Sequence, residues 1–497
     1  MSPSEVSGAK RLQASRITQG SLVFSIARFG LPLAIGMALQ TTFNLVDAYL
    51  IAHLPASERQ AAIGAIGISD QVAALGTIVS YGISTATATV LAQRRGAKDQ
   101  TGIEQASWQS TLVIATLSLI FGLIGAFGAG VIVQTIIGAK GDVARVATPF
   151  VSVMTAGSFS IFFLLHFTTI ARALGSSKTP VLLLVGGNAL NVVLAILLIF
   201  GPGPAPSGLD WLTPLAAALH TPRLGMMGAA WATVVARSVA LVASAFVVFS
   251  KFRIIPPRNL RVPKSSEIRL VASLAWPLSA QFVLRIAATL LVHSIVARLF
   301  TTPEDQTATT AMGLVFRIDT MATFVAMGWA TAAQTFVGQN IGAGKPRRAK
   351  QSGWIAVAYS IVTSLLLMVL AMAKGDTIVR VFGSEGPAIG IAVKYLVTVA
   401  PSYVPLGLSI VLGHGLAGAG ATRTTFALDV AVVGLVQVPL CVVVGFVLSG
   451  SIGNLFACVA ITNVVSAIVY SIVYSRQSWG DERPGDRVPP STSGIAI

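Results

Sequence analysis

Apolar stretches of roughly 20 residues or more, the length an α-helix needs to cross hydrocarbon, recur about twelve times between Ser21 and Ser475. Lipid offers no hydrogen-bond partners, so a chain that crosses it must satisfy its backbone within helices or within a closed barrel. Barrel strands are about half as long and alternate polar with apolar residues, which these runs do not do. The expected fold class is therefore an all-α integral membrane protein. Composition agrees, with 54% hydrophobic and 10% charged residues among 497 and a mean hydropathy of +0.78. No small-residue cleavage site follows the first apolar run, so no cleavable signal peptide is expected.

The pattern predicts helices near 28–53, 61–93, 106–137, 146–174, 178–201 and 226–250, and a second set near 268–298, 307–339, 352–373, 390–418, 424–448 and 450–475. Between the sets, KFRIIPPRNLRVPKSSE at 251–267 breaks the apolar pattern with bases and prolines. The halves are related: GISTATATVLAQRRGAKD at 82–99 aligns without gaps to GWATAAQTFVGQNIGAGK at 328–345, with seven of 18 positions identical. ALGSSKT at 173–179 echoes GAGATRT at 418–424, and Pro32 echoes Pro277, all at offsets of 245 or 246. A duplicated unit with an even number of helices keeps its orientation, so the copies are related by an axis along the membrane normal. The expected organisation is an N-terminal segment 1–25, an N-lobe 26–250, a basic linker 251–267, a C-lobe 268–475 and a tail 476–497. Two pseudo-symmetric six-helix lobes then face each other across a central cleft. Such a cleft suits alternating access, although a repeat alone is also compatible with a receptor.

The net charge of +16 raises a nucleic-acid partner as a possibility, but the distribution of the bases argues against one. Most of the 34 lysines and arginines fall in segments on the N-terminal side of the membrane, such as Arg94, Arg95 and Lys98, or Lys345, Arg347, Arg348 and Lys350. The positive-inside rule places that side, with both termini, in the cytoplasm and the protein in the plasma (inner) membrane. Cys441 and Cys458 lie in apolar runs and read as inert buried thiols.

Specific strings now resemble the multidrug and toxic compound extrusion (MATE) transporters, within the wider group that includes lipid-linked polysaccharide flippases. They are GLPLAIGMALQTTFNLVDAYLIAHL at 30–54, the repeat at 82–99, ARALGSSKTPVLLLVGGNALNVVLAILLIFG at 171–201, GMMGAAWAT at 225–233, VGQNIGAGKPRRA at 337–349 and GLAGAGATRT at 415–424. The resemblance implies a two-lobed, twelve-helix antiporter that exports lipophilic, often cationic, small organic compounds in exchange for protons or sodium. In the family's proton-type branch it points to Pro32 as a helix kink and to Gln40, Asp47, Asn191 and Thr233 as ion-coupling residues. Ala195 stands where that branch carries a second carboxylate, and Arg285 near the position of the sodium-type branch's Glu.

Gln40, Asn44 and Asp47 are four and three residues apart and share one helix face. A carboxylate in hydrocarbon costs at least a few kcal/mol unless it is paired, hydrated or protonated, so Asp47 is suited to carrying a proton. A permanent ion pair is the alternative. Arg237, one turn beyond Thr233, either tunes the protonation of Asp47 or contributes to an anion-tolerant cavity, or else snorkels or caps carbonyls between helices. Arg285 and His293, eight apart on one helix, either bind an acidic substrate group or act as interhelical glue. Asp70 and Asp319 are expected near outer helix ends within reach of water, with Arg317 facing away from Asp319. Asp429, six residues after Arg423, is expected near the cytoplasmic interface, where it is either solvated or part of a gate. The loop 202–225 is expected on the outer surface as a lid.

Rival functions lack their motifs. GAGKPRRAK is not a phosphate-cradling loop, because Pro follows Lys345 and the first Gly is missing. His166, His293 and His414 lie on separate helices without a metal-ligand pairing. No enzyme, cofactor or metal is expected; the partners are small-molecule substrates and membrane lipid, with no nucleic acid and a monomeric state. The remaining alternative is a flippase for a lipid-linked sugar or other anionic amphipath, with Arg237 and Arg285 holding phosphate.

Overall fold

The computed structural model describes residues 17–206, 208–252, 254, 262–302, 304–381, 386–448 and 450–479. Between 41 and 77 a number of side chains, including those of Asn44, Asp47 and Asp70, lie outside the described set although their helical backbone is within it. Twelve long helices order the described chain. In the first half these are α1 (Leu22–Ala52), α2 (Ala56–Gly96), α3 (Gln100–Ile136), α4 (Gly141–Ala173), α5 (Lys178–Phe200) and α6 (Met226–Lys251). In the second they are α7 (Ser265–Leu299), α8 (Thr307–Gly342), α9 (Pro346–Val381), α10 (Ala388–Gly418), α11 (Thr422–Val447) and α12 (Ile452–Arg476). Eleven are long and apolar enough to cross a membrane. That count is of the described residues and leaves out α2, several of whose side chains lie outside them; its 41 residues reach about 60 Å at 1.5 Å per residue.

Each half has its own buried cluster. In the first, Leu50 and Leu54 pack with Val151, Ile199 and Phe200; in the second, Val315, Tyr395, Leu396 and Phe456 come together. Two further clusters join the halves and are related by the duplication. Ile26, Phe29 and Leu33 of α1 pack on Ala330 and Phe336 of α8, while Val271, Leu274 and Leu278 of α7 pack against Ala86 and Val90 of α2. The first helix of each half thus leans on the second helix of the other. Glycines make these crossings close: a Cβ on Gly328 would collide with the α1 backbone at Ala34, and one on its repeat equivalent Gly82 with Ser279 of α7. Lipid-facing surfaces are apolar, with Phe127, Leu182, Phe246 and Leu435 exposed.

α1 is helical straight through Pro32, and α4 is two helical pieces that meet at Gly157. The segment 202–225 contains a short helix, Thr213–Ala218. Its Leu212 and Ala216 are buried in the first half's own cluster, so this segment is packed down on that half.

At the basic end Arg94 Nη2 donates to both Glu267 carboxylate oxygens, 2.8 and 2.9 Å, and Nη1 donates to the Gly102 carbonyl at 2.8 Å. The two side chains are 3% and 9% exposed. In so dry a site, removing one partner strands the other's charge at a cost of about 3–5 kcal/mol, whereas replacing both by apolar residues is far milder. Glu267→Ala is therefore expected to lower the thermal unfolding temperature in detergent markedly. Arg94→Met with Glu267→Leu should restore most of it; equal loss in both would show that the charge itself is not what matters.

Candidate functional site

The repeat segments 82–99 and 328–345 form the ends of α2 and α8, which cross where the halves meet on the basic side. Their equivalent glutamines reach across in opposite directions: Gln93 Nε2 donates to the Gly418 carbonyl at 2.9 Å, and Gln339 Nε2 to the Ala173 carbonyl at 2.8 Å. Both acceptors lie at the ends of equivalent helices, α10 and α4. One turn further on, a Cβ on Gly96 would strike the Gln339 carbonyl, and one on Gly342 the Gln93 carbonyl. Deeper along α2, Gln334 donates to the Thr85 carbonyl at 2.9 Å and to the Thr89 hydroxyl at 3.0 Å, and Thr89 in turn donates to the Ala417 carbonyl at 3.0 Å. Tyr81 meets His414 at 3.0 Å. Around this seal, Lys345 and Arg348 hold the carbonyls of Thr18, Ile17 and Gly20 ahead of α1.

The second half carries two polar clusters that correct the sequence-based expectations. Asp429 is not solvated at an interface but fully buried. Arg285 Nε and an Nη of the same guanidinium grip its two oxygens at 2.5 and 2.8 Å, and the Tyr470 hydroxyl donates to it at 2.7 Å. Gln281 donates to Tyr470 at 3.1 Å. Arg285 is therefore already matched by a carboxylate from α11, which removes it as a free anion-binding charge. Asp319 does not sit at a helix end: it lies a little over three turns into α8, where Tyr395 and Tyr403 of α10 both donate to it, the latter at 2.6 Å. No base pairs with it among the described residues. His293 presents Nδ1 to the Thr289 carbonyl at 2.8 Å and Nε2 to the Met312 carbonyl at 3.3 Å, and its ring packs edge-on to Phe316. It serves the contact between α7 and α8.

In the first half α1 packs on α5, and α5 on α6, so the helices bearing Gln40, Asn191, Thr233 and Arg237 adjoin one another. Asn191 and Thr233 are buried, Gln40 and Arg237 partly so. The side chains of Asp47 and Asn44, the centre of the predicted stripe, fall outside the described residues, as does that of Asp70. Arg172 was not anticipated. It is 8% exposed, donates to the Thr169 hydroxyl at 2.5 Å, leaves its Nε without a hydrogen bond, and has no carboxylate partner among the described residues. Its place in ARALG, beside the carbonyl that Gln339 takes, was the available signal.

The mirrored glutamine bonds set an expectation. Gln93→Ala with Gln339→Ala removes two bonds of about 1 kcal/mol each, enough to shift a two-state population by roughly 30-fold. In a background lacking Cys441 and Cys458, Thr85→Cys should then be labelled faster by a membrane-impermeant maleimide from the basic side. Unchanged labelling would mean that these bonds do not hold the seal.

Comparison with known proteins places this geometry. The MatE family model matches twice, over residues 32–197 and 277–443. Similar proteins include the probable multidrug resistance protein YpnP of Bacillus subtilis, 26% identical over 84% of this chain and 87% of that protein. The FAD transporter of Shewanella oneidensis is 22% identical over 89% and 92%. Among solved structures, the fold is shared with an outward-facing multidrug resistance MATE family transporter of the MOP superfamily, at a TM-score of 0.80 and 20% identity over 95% and 98% of the two chains. It is shared equally with a Pyrococcus furiosus MOP superfamily transporter described as having a binding pocket of reverse polarity, at 0.81 and 20% over 93% and 97%. Two matches to one family model, on two halves whose mirrored glutamines lock across a shared seam, make this chain a member of the multidrug and toxic compound extrusion (MATE) family of membrane transporters.

Proposed function

We propose that the protein is a secondary active antiporter that expels small organic compounds, lipophilic or cationic, in exchange for protons or sodium, by rocking its two lobes about the central cleft. The observation that carries this reading is the make-up of the basic-side seal. It consists mainly of a handful of amide, hydroxyl and carbonyl hydrogen bonds laid over glycine contacts, each worth about 1 kcal/mol net. One elementary charge moved through 100 mV supplies about 2.3 kcal/mol. An ion gradient is thus of the right size to open and close such a seal, with no nucleotide needed.

The ion carriers in this reading are carboxylates placed within the long apolar helices. Asp47 is the N-lobe candidate, on the face it shares with Gln40 and Asn44. Asp319 is the C-lobe candidate: two tyrosine hydroxyls hold it, and its remaining lone pairs are open to a proton or a metal cation. Asp429, locked to Arg285, is excluded from that role.

A second reading rests on Arg172. A buried guanidinium with an idle Nε beside the seam would meet an anionic group entering from the basic side once the lobes part, favouring an anionic amphipath as cargo. The FAD transporter among the relatives supports that direction, while the multidrug resistance protein YpnP supports the first.

Purified protein in vesicles with imposed proton or sodium gradients tests both. Wild type is expected to concentrate a lipophilic cation against its gradient under one ion only. Asp47→Asn and Asp319→Asn should each cut coupled exchange by at least about tenfold, the range set by removing one essential 1.4 kcal/mol interaction, while leaving folding intact. Coupling that survives in both variants would remove carboxylates from the mechanism. Flux of a flavin nucleotide or lipid-linked sugar, lost in Arg172→Gln, with no cation flux, would establish the second reading instead.

A further inference from the structure

A cavity of about 700 Å³ opens on the basic side between the start of α1 and the start of α9. Arg347, Arg348 and Lys350 line it together with Ser21 and an apolar wall of Leu22, Trp354 and Ile355, and among the described residues no carboxylate lines it. The positive potential there has three sources that reinforce one another. The three bases lie in the first turns of α9, which has no acidic residue in its first turn, so the bases add to the positive end of the helix dipole where an acid would normally offset it. Arg348 and Lys350 are anchored to neutral carbonyls, those of Ile17, Gly20 and Ser475, which fixes their charges without neutralising them. Arg347 is exposed and has no hydrogen bond or ion pair among the described residues.

The depth of the cavity determines what kind of anion fits. The candidate spans of α1 and α9 begin here, at Leu22 and Pro346, and in α9 the polar opening PRRAKQSG gives way to a mainly apolar run from Trp354. Trp354 lies eight residues into α9, about 12 Å along the helix, the depth at which tryptophans border the hydrocarbon. The mouth is therefore at headgroup level and the apolar wall at acyl-chain level. A free phosphate would leave that wall wet, whereas a lipid satisfies both ends.

We infer that this cavity is a binding site for an anionic phospholipid, its phosphate on Arg347 and flanked by Arg348 and Lys350, its acyl chain along Leu22, Trp354 and Ile355. Bases at this level favour anionic headgroups by about 1 kcal/mol each. Because one wall belongs to α1 and the other to α9, the site is complete only while the two halves are joined on the basic side. A bound lipid favours that closed state by its differential affinity. This last consequence rests on the rocking-lobe reading; the binding site does not.

The test uses full-length protein in phosphatidylcholine vesicles carrying a small fraction of either phosphatidylglycerol or phosphatidylcholine with brominated acyl chains. The readout is the fluorescence difference between wild type and Trp354→Phe. Brominated phosphatidylglycerol is expected to quench the Trp354 component at least about fivefold more effectively than brominated phosphatidylcholine, the ratio one basic residue supplies near an anionic headgroup. Arg347→Gln should reduce that preference towards unity and Arg347→Lys should keep most of it. Native mass spectrometry of phosphatidylglycerol retained by wild type and Arg347→Gln gives the same comparison without altering Trp354. Equal quenching by the two lipids, or a preference unchanged in Arg347→Gln, overturns the site. Loss of the preference on adding millimolar inorganic phosphate at constant ionic strength assigns the cavity to free phosphate and overturns the lipid.

Discussion

The contact on which the rest of the architecture depends is the crossing of α2 and α8, where Gln93 and Gln339 exchange bonds with the opposite half. A duplicated unit can dock on its copy only through surfaces that are complementary under the pseudo-twofold operation, as in any isologous interface. Here that requirement is met twice at atomic level: each glutamine finds a helix-end carbonyl, and Gly96 and Gly342 each leave room for the backbone at the other's glutamine. The apolar clusters on either side, α1 on α8 and α7 on α2, are consequences of the same operation.

Much of the fold was legible in the sequence because lipid imposes a single helical period and a minimum length. The offset of 245 or 246 between equivalent segments marked the duplication before any contact was known. The interior of the second half was less legible. Asp429 looks interfacial in one dimension, six residues from Arg423. Its burial depends on Arg285 arriving from α7, 144 residues away, and Tyr470 from α12. Asp319 is held by tyrosines 76 and 84 residues further on. Hydropathy carries no information about such pairings; only the packing of separate helices decides whether a charge finds a donor. The extent of α7 was misplaced at its start for a related reason, since Glu267 reads as part of a polar linker until Arg94 is seen to draw it into the bundle.

The two lobes share a plan but differ in polar content. Among the described residues, the second half braces its interior with a carboxylate–guanidinium–phenol network, so α7, α11 and α12 are tied where lipid-embedded helices would otherwise rely on van der Waals contact. Such a network in a low-dielectric setting is costly to disturb by halves. The lobe that contains it is better suited to move as one body than to change shape internally.

The opposed direction of the two glutamine bonds also restricts how the halves can separate. A slide of one lobe along the seam would drive Gly96 and Gly342 into the carbonyls they face while stretching one bond ahead of the other. In the rocking-lobe reading, a tilt that lifts the lobes apart at the basic end would lengthen both bonds together and carry each glycine away from the carbonyl it faces. On that reading the seam would act as a keyed joint, its glycines favouring rotation over translation before any ion or substrate is bound.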